Sequence, residues 1–197
     1  MVYDEHSLLE RARSQEGPAL QEFVDRFKQQ VYFLALDLTG NHHDAEDLSQ
    51  EVFMKAFVSI QGFRGDSKLS SWLHRITVNT FIDQRRKSSF RIFKLQRSVD
   101  KDDEFKDPEP VYSGPDPQQS LEQKRLQDDI RNALSCLSPQ QKSVFVLRHY
   151  QELTLKEIAE VLHISEGTVK SLLFRALRKL QKALSGYRLG PELEDLQ

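Results

Sequence analysis

TLKEIAEVLHISEGTVKSLLFRALRKL, residues Thr154 to Leu180, carries the decisive pattern. Thr154 and Glu157 have the spacing of a capping box and open a short helix, LKEIAEVL. His163-Ile164-Ser165 makes a brief turn, and Ser165 can cap a second, longer helix. A short helix, a three-residue turn and a long helix predict a helix-turn-helix. Leu155, Ile158, Ala159 and Leu162 would face inward, Ile164 would plug the turn, and Val169, Leu172, Ala176, Leu177 and Leu180 would line the second helix. Ala159 stands where the helices approach closely and a small residue is needed. His163 occupies the turn position where glycine is common, because the turn calls for positive φ; histidine tolerates that conformation better than most residues.

The outer face of the second helix carries Lys170, Ser171, Phe174, Arg175 and Arg178. A helix fits the DNA major groove, where arginine can grip guanine through two hydrogen bonds. Lysine and serine can take phosphates or base edges. The backbone N–H groups at Glu166, Gly167 and Thr168 open the helix toward a phosphate. An amphipathic hairpin with a solvated basic face would share much of this pattern. The capped first helix, the tight turn and an aromatic on the polar face argue for DNA.

Working outward, residues 139–150 predict the preceding helix, with Ser138 as N-cap and Pro139 at its first position. Val144, Phe145, Val146 and Leu147 are its apolar residues. Before it, residues 121–137 read as helical with Leu126, Ile130, Leu134 and Leu137 on one face. Further back, residues 98–120 hold four prolines and one glycine, and residues 100–122 carry eight acidic and two basic residues. That is the composition of a linker, too polar to bury a core.

The N-terminal half is again helical. Phe23, Phe27, Val31, Leu34 and Leu38 recur at spacings of three and four, with a break at Gly17-Pro18 and a stop at Gly40. Residues 44–61 make a second helix, with Leu48, Val52, Ala56 and Ile60 in one stripe. His42 and His43 are expected in the turn before it. A loop, FRGDSKLS, follows. Ser67 or Ser70 can then cap a helix to about Lys87, with Leu69, Trp72, Leu73, Ile76 and Phe81 inward. Trp72, the only tryptophan, reads as core rather than as a stacking platform. No strand pattern and no internal repeat is seen.

The expected fold is all-α: two small helical domains joined by a flexible acidic linker, the C-terminal one containing the helix-turn-helix. The boundaries are 1–97, 98–120 for the linker, 121–185 and a tail at 186–197. The formal net charge is −2, but it is segregated. Residues 63–97 hold nine basic and two acidic side chains, and residues 41–51 hold four acidic ones and no lysine or arginine. Local fields, not net charge, decide where a polyanion docks. Cys136 is the single cysteine, so no internal disulfide or cysteine-based metal cluster is expected. No run approaches a membrane span and the charged N-terminus is no secretory signal, so a cytoplasmic protein without membrane insertion of its own is expected.

The run DAEDLSQEVFMKAF followed by FRGDSKLSSWLHRITVNTFIDQRRK resembles the polymerase-binding and promoter-melting region of bacterial sigma factors. With a C-terminal helix-turn-helix ending SEGTVKSLLFRALRKL, the chain resembles the short extracytoplasmic-function group, over roughly residues 5–95 and 120–184. The resemblance implies that Asp44, Asp47, Gln50 and Glu51 meet a coiled coil on the largest subunit of core RNA polymerase. An acidic face of this kind suits a basic protein partner, although a solvated face would look the same. It implies that Phe63, Arg64, Gly65, Asp66, Ser67, Lys68 and Leu69 capture a base of the melted minus-ten element, which costs a few kcal/mol of unstacking. Asn79 would read a base edge, and Arg75, Arg85 and Arg86 would hold the backbone, helped by Lys87. Thr168, Lys170, Ser171, Phe174, Arg175 and Arg178 would contact the minus-thirty-five element. In this family the linker threads toward the polymerase active centre and the RNA exit path; a passive tether fits the residues equally well. Members are commonly held inactive by an anti-sigma factor, often tethered at the inner membrane. No catalytic residue, metal or cofactor is implied.

Two other classes of function share parts of this pattern. His42-His43-Asp44 with Asp47 invites a metal phosphohydrolase, but the further His and distant Asp it needs are not distinctive here. No P-loop, GxSxG or HExxH is present. A stand-alone helix-turn-helix regulator would share the C-terminal motif without needing the acidic helix and the capture loop.

Overall fold

The structure, a computed structural model, describes residues 5–14, 16–63, 65, 67–96 and 129–184. The linker at 98–120, the tail at 186–197, Leu126, Arg64 and Asp66 lie outside the described residues. Every regular element among the described residues is helical.

In the N-terminal half, α1 runs Glu5–Arg13 and α2 Gly17–Thr39, with proline in its first turn. Gly40 ends α2 in the left-handed conformation at φ 85°, which glycine adopts without a Cβ penalty. Next, α3 runs His42–Ser59 and passes into a 3₁₀ turn at Ile60–Gly62. The helix thus starts two residues earlier than the apolar stripe suggested, and His42 and His43 lie in its first turn rather than before it. The reason is Asn41, whose side chain accepts from the Asp44 N–H at 2.8 Å and supplies the N-cap. Then α4 runs Leu69–Gln96, well past the expected end near Lys87. No glycine or proline lies between Arg85 and Gln96 to stop it.

The apolar stripes read from periodicity form the core. Phe23, Phe27, Val31, Leu34 and Leu38 of α2 are buried, as are Leu48, Val52 and Ala56 of α3 and the following Ile60. From α4, Leu69, Trp72, Leu73 and Phe81 join them, with Ile76 partly buried against the cluster. Each such side chain contributes about 1.5–3 kcal/mol relative to exposure.

In the C-terminal half, residues 129–135 form α5, followed by α6 (Pro139–His149), α7 (Leu155–Leu162) and α8 (Glu166–Ala183). Capping boxes at Ser138/Gln141 and Thr154/Glu157 are both formed. Val144, Val146 and Leu147 are buried in α6, with Phe145 only partly so. Ile130 departs from expectation: it is 36% exposed, and Ala133, Leu134 and Leu137 carry the contact with α8 instead. Val161, not among the inward residues expected of α7, is buried as well.

The two halves do not stand apart. α6 packs across α2 and α4, and α7 packs against α4. Buried residues of α6, α7 and α8 belong to the same apolar cluster as those of α1 to α4. At the polar part of this seam Gln151 donates to the Asp37 carboxylate at 3.2 Å. Lys142 is buried there at 7% exposure. Burial, aided by the charges of Arg85 and Arg131, brings its pKa down to about 8, with Asp37 opposing. The Asp37 carboxyl is itself raised by burial.

Candidate nucleic-acid interfaces

The outer face of α8 is built by its own start. Ser165 accepts from the Thr168 N–H at 3.1 Å, and the two hydroxyls lie 2.9 Å apart. The turn before it is held by His163 at φ 53°, ψ 44°, the left-handed conformation the motif requires. Val169, Ala176 and Leu180 are buried, which fixes the rotation of the helix. Lys170, Phe174, Arg175 and Arg178 then point outward, with Ser171 half-buried between them. Phe174 is 56% exposed, and the Arg178 guanidinium sits 5.7 Å from its ring centroid. The ring therefore holds Arg178 in place through a cation–π contact. This explains an aromatic on a face that otherwise meets water.

The capture segment is organised differently. Phe63 and Leu69, expected to line a base pocket, are 7% and 3% exposed and belong to the core. The Phe63 ring packs on Trp72 at 5.1 Å, and Trp72 is 6% exposed, so the indole is a core residue. These apolar ends anchor the loop, because a buried ring is worth more to folding than an exposed one. Between them Gly65 adopts φ 81°, and Ser67 and Lys68 are exposed. Asn79 is exposed on α4, with Arg75 one turn before it and Arg86 two turns after it on the same face. Arg85 stacks over Phe81 at 5.6 Å, and Arg86 pairs with Asp83 at 3.1 Å.

Sequence reasoning had passed over Arg13. Its Nη2 donates to the Phe63 carbonyl, tying α1 to the first residue of the capture loop across fifty positions. Its Nη1 pairs with Glu10 at 2.5 Å. An arginine next to Ala12, at the end of a helix whose only apolar residues are Leu8, Leu9 and Ala12, was the available signal.

The acidic helix α3 presents less than its sequence suggested. Asp44 is drawn into the Asn41 cap, which donates to its carboxylate at 2.9 Å. Glu51 accepts from Lys55 at 2.7 Å and from Gln84 at 2.7 Å, which ties it to α4. The Lys55 hydrogen bond holds its carboxyl below the usual range. Asp47 and Gln50 stay exposed, and Met54 (61%) and Val58 (84%) continue their stripe. Across it Phe33 is 56% exposed and, with Tyr32, Gln50 and Phe53, walls a shallow groove of about 380 Å³. Met54, Val58 and Phe33 fall off the buried stripes of their helices, which was the signal available for them.

His42 is held against Tyr32, its Nδ1 2.6 Å from the phenol oxygen, and His43 lies 3.8 Å from Asp47. Among the described residues no three His, Cys, Asp or Glu side chains converge as metal ligands. No described helix is long and apolar enough to cross a membrane.

Comparison with known proteins matches residues 23–91 to sigma-70 region 2 and residues 127–180 to sigma-70 region 4. The chain is 31% identical over 176 residues to the ECF RNA polymerase sigma factor SigW of Bacillus subtilis, covering 89% of this chain and 94% of that protein. It is 35% identical over 169 residues to the ECF RNA polymerase sigma factor SigE of Mycolicibacterium smegmatis, covering 85% of this chain but 62% of the relative's length. Among solved structures it is similar to the sigma factor RpoE of Bartonella quintana, crystallised with the anti-sigma factor NepR. That match has a TM-score of 0.61 and 28% identity, and covers 85% of this chain and 98% of the other.

Proposed function

The chain belongs to the extracytoplasmic-function (ECF) RNA polymerase sigma factors, and from that premise we propose how its parts divide the work. It binds core RNA polymerase and directs promoter-specific initiation of transcription. The polymerase carries out the covalent chemistry, so this chain needs no catalytic group of its own.

One observation supports the division of labour best: basic and acidic faces lie on separate elements, each fixed by its own buried stripe. The α8 face, with Thr168, Lys170, Ser171, Phe174, Arg175 and Arg178, takes the minus-thirty-five element. Gly65, Ser67, Lys68, Arg75, Asn79, Arg85 and Arg86 take the melted minus-ten strand, together with Arg64 and Asp66, which lie outside the described residues. Phe63 and Leu69 serve this segment as buried anchors. Asp47, Gln50, Met54 and Phe33 meet the largest-subunit coiled coil of core polymerase; Asp44 and Glu51 shape that face from within α3. On this reading residues 1–97 are the polymerase-binding and melting domain, 98–120 the linker, 121–185 the minus-thirty-five domain and 186–197 the tail. The protein works in the bacterial cytoplasm, under an anti-sigma factor such as the one seated on its Bartonella quintana relative.

Transcription in vitro with core polymerase over a promoter library tests the proposal. Initiation confined to a subset of promoters, with permanganate-reactive thymines at the minus-ten element, is the expected result. Tight binding to a short duplex without polymerase, and no polymerase-dependent start, would favour a stand-alone regulator instead.

A further inference from the structure

Helix α1 precedes the stretch matched to sigma-70 region 2, residues 23–91, and no DNA or polymerase contact proposed above falls on it. It is nonetheless built firmly into the fold. Leu8, Leu9 and Ala12 are buried. Arg11 Nη1 donates to Glu22 of α2 at 3.1 Å, and Arg11 Nε lies 3.7 Å from Glu16. Packing sets the depth of α1, and these pairs set its register along α2. The helix also touches the 3₁₀ turn at Ile60–Gly62, from which the capture loop departs.

Arg13 turns that contact into a specific hold. Its Nη2 donates to the Phe63 carbonyl while its Nη1 pairs with Glu10 at 2.5 Å. The guanidinium is a rigid planar fork, so anchoring one nitrogen on Glu10 aims the other. Phe63 is thereby held on every side. Its N–H donates to the Ile60 carbonyl at 3.2 Å, its ring lies on Trp72, and Arg13 takes its carbonyl. Fixing that carbonyl fixes ψ of Phe63, at 114°, and with it the direction in which the chain sets out toward Gly65.

Stability of α1 alone does not explain an arginine here. Arg13 Nε is buried with no hydrogen-bond partner among the described residues, and a buried donor without an acceptor is unfavourable. An apolar residue at this position, one turn after Leu9, would extend the buried stripe without that cost. What the arginine supplies, and an apolar residue cannot, is the grip on the loop.

We infer that α1 is a brace for the capture loop and that Arg13 is a positioning residue for minus-ten base capture, acting through the Phe63 carbonyl. Arg13 touches no DNA in this role. It sets where Gly65, Ser67 and Lys68 stand relative to Asn79, and a pocket discriminates only when its walls are held to about 0.5 Å. What the loop captures rests on the sigma-factor reading; the brace itself rests on the geometry.

The test uses the full chain with core polymerase on promoters that differ only across the minus-ten element. Arg13→Met keeps an unbranched stem and removes the fork. It should slow open-complex formation roughly tenfold, as for the loss of one charge-assisted hydrogen bond, with the initial promoter-binding constant unchanged. It should also flatten the ranking of minus-ten sequences. Arg13→Lys, which keeps a charged donor, should restore part of both. Glu10→Ala, at an exposed position, frees the fork without touching the core and should shift the ranking the same way by less. Unchanged opening and unchanged ranking in Arg13→Met and Glu10→Ala would overturn the brace. So would an equal loss on every promoter with the ranking kept, since that is what a purely structural role produces. Failure of the natural chain to start transcription with core polymerase would count against the reading of function instead. Amide hydrogen exchange over residues 63–68 of the chain without polymerase then decides the brace: faster exchange in Arg13→Met upholds it, and unchanged exchange overturns it.

Discussion

The two surfaces proposed to meet DNA are in opposite states. On α8 the residues proposed to read DNA project into solvent, with Ser171 half-buried, and the buried Val169, Ala176 and Leu180 set their direction. On the capture segment the apolar residues are core, and Arg75 is already engaged by the other half of the molecule. One reader is a finished surface on a stable helix; the other is a loop whose shape depends on packing from three directions. The difference means that mutations should separate cleanly: those on α8 alter binding alone, whereas those around the loop alter stability as well.

The largest expected effect tests the loop side. Trp72→Ala should cost about 3–5 kcal/mol of stability, read from the shift in a urea unfolding curve. A stable variant that merely opens promoters poorly would make the indole a stacking platform and break the distinction. On the α8 side, Arg175→Ala should weaken minus-thirty-five recognition by about 1–3 kcal/mol in a promoter competition assay, with Tm unchanged. A fall in Tm would mean that this face is not free after all. The smallest effect sharpens the seam between the two. Lys142, among Asp37, Gln151, Arg85 and Arg131, holds its proton less tightly when buried than its ordinary value of 10.5, at about 8. The folded state thus binds fewer protons between those two values, so this group's contribution to stability rises with pH from about 8 and is smallest below it. The gain is at most about 1.4 kcal/mol per pH unit, and the urea unfolding midpoint should rise correspondingly as the buffer is taken above about pH 8, a rise that Lys142→Met should remove.

Local chemistry was legible in the sequence wherever a few neighbouring residues decide the outcome. The caps at Ser138, Thr154 and Ser165, the left-handed His163 and the inward stripes of α2, α3 and α8 all follow from short-range rules. Asn41 as the cap of α3 was available to the same rules but was obscured by the two histidines after it. The end of α4 was not legible, because helix continuation without a stop signal depends on length and surroundings. Nor was the burial of Phe63 and Leu69, since a loop bounded by apolar residues reads alike whether they meet a base or a core. The partial withdrawal of Glu51 needs Gln84, thirty-three positions away, to be known as its neighbour. Arg75 on His163 lies further still, across eighty-eight positions.

The unbroken run of α4 has a mechanical consequence. Its 28 residues span roughly 40 Å at about 1.5 Å each. Its first turn is fastened to the capture loop, and its last lies where the chain leaves the N-terminal half. A helix of that length behaves as a stiff rod, so a tug or twist at Gln96 is delivered to Leu69 with little lost to bending. The C-terminal end of α4 is therefore a handle, roughly seven to eight turns long, on the loop proposed to grip the melted strand.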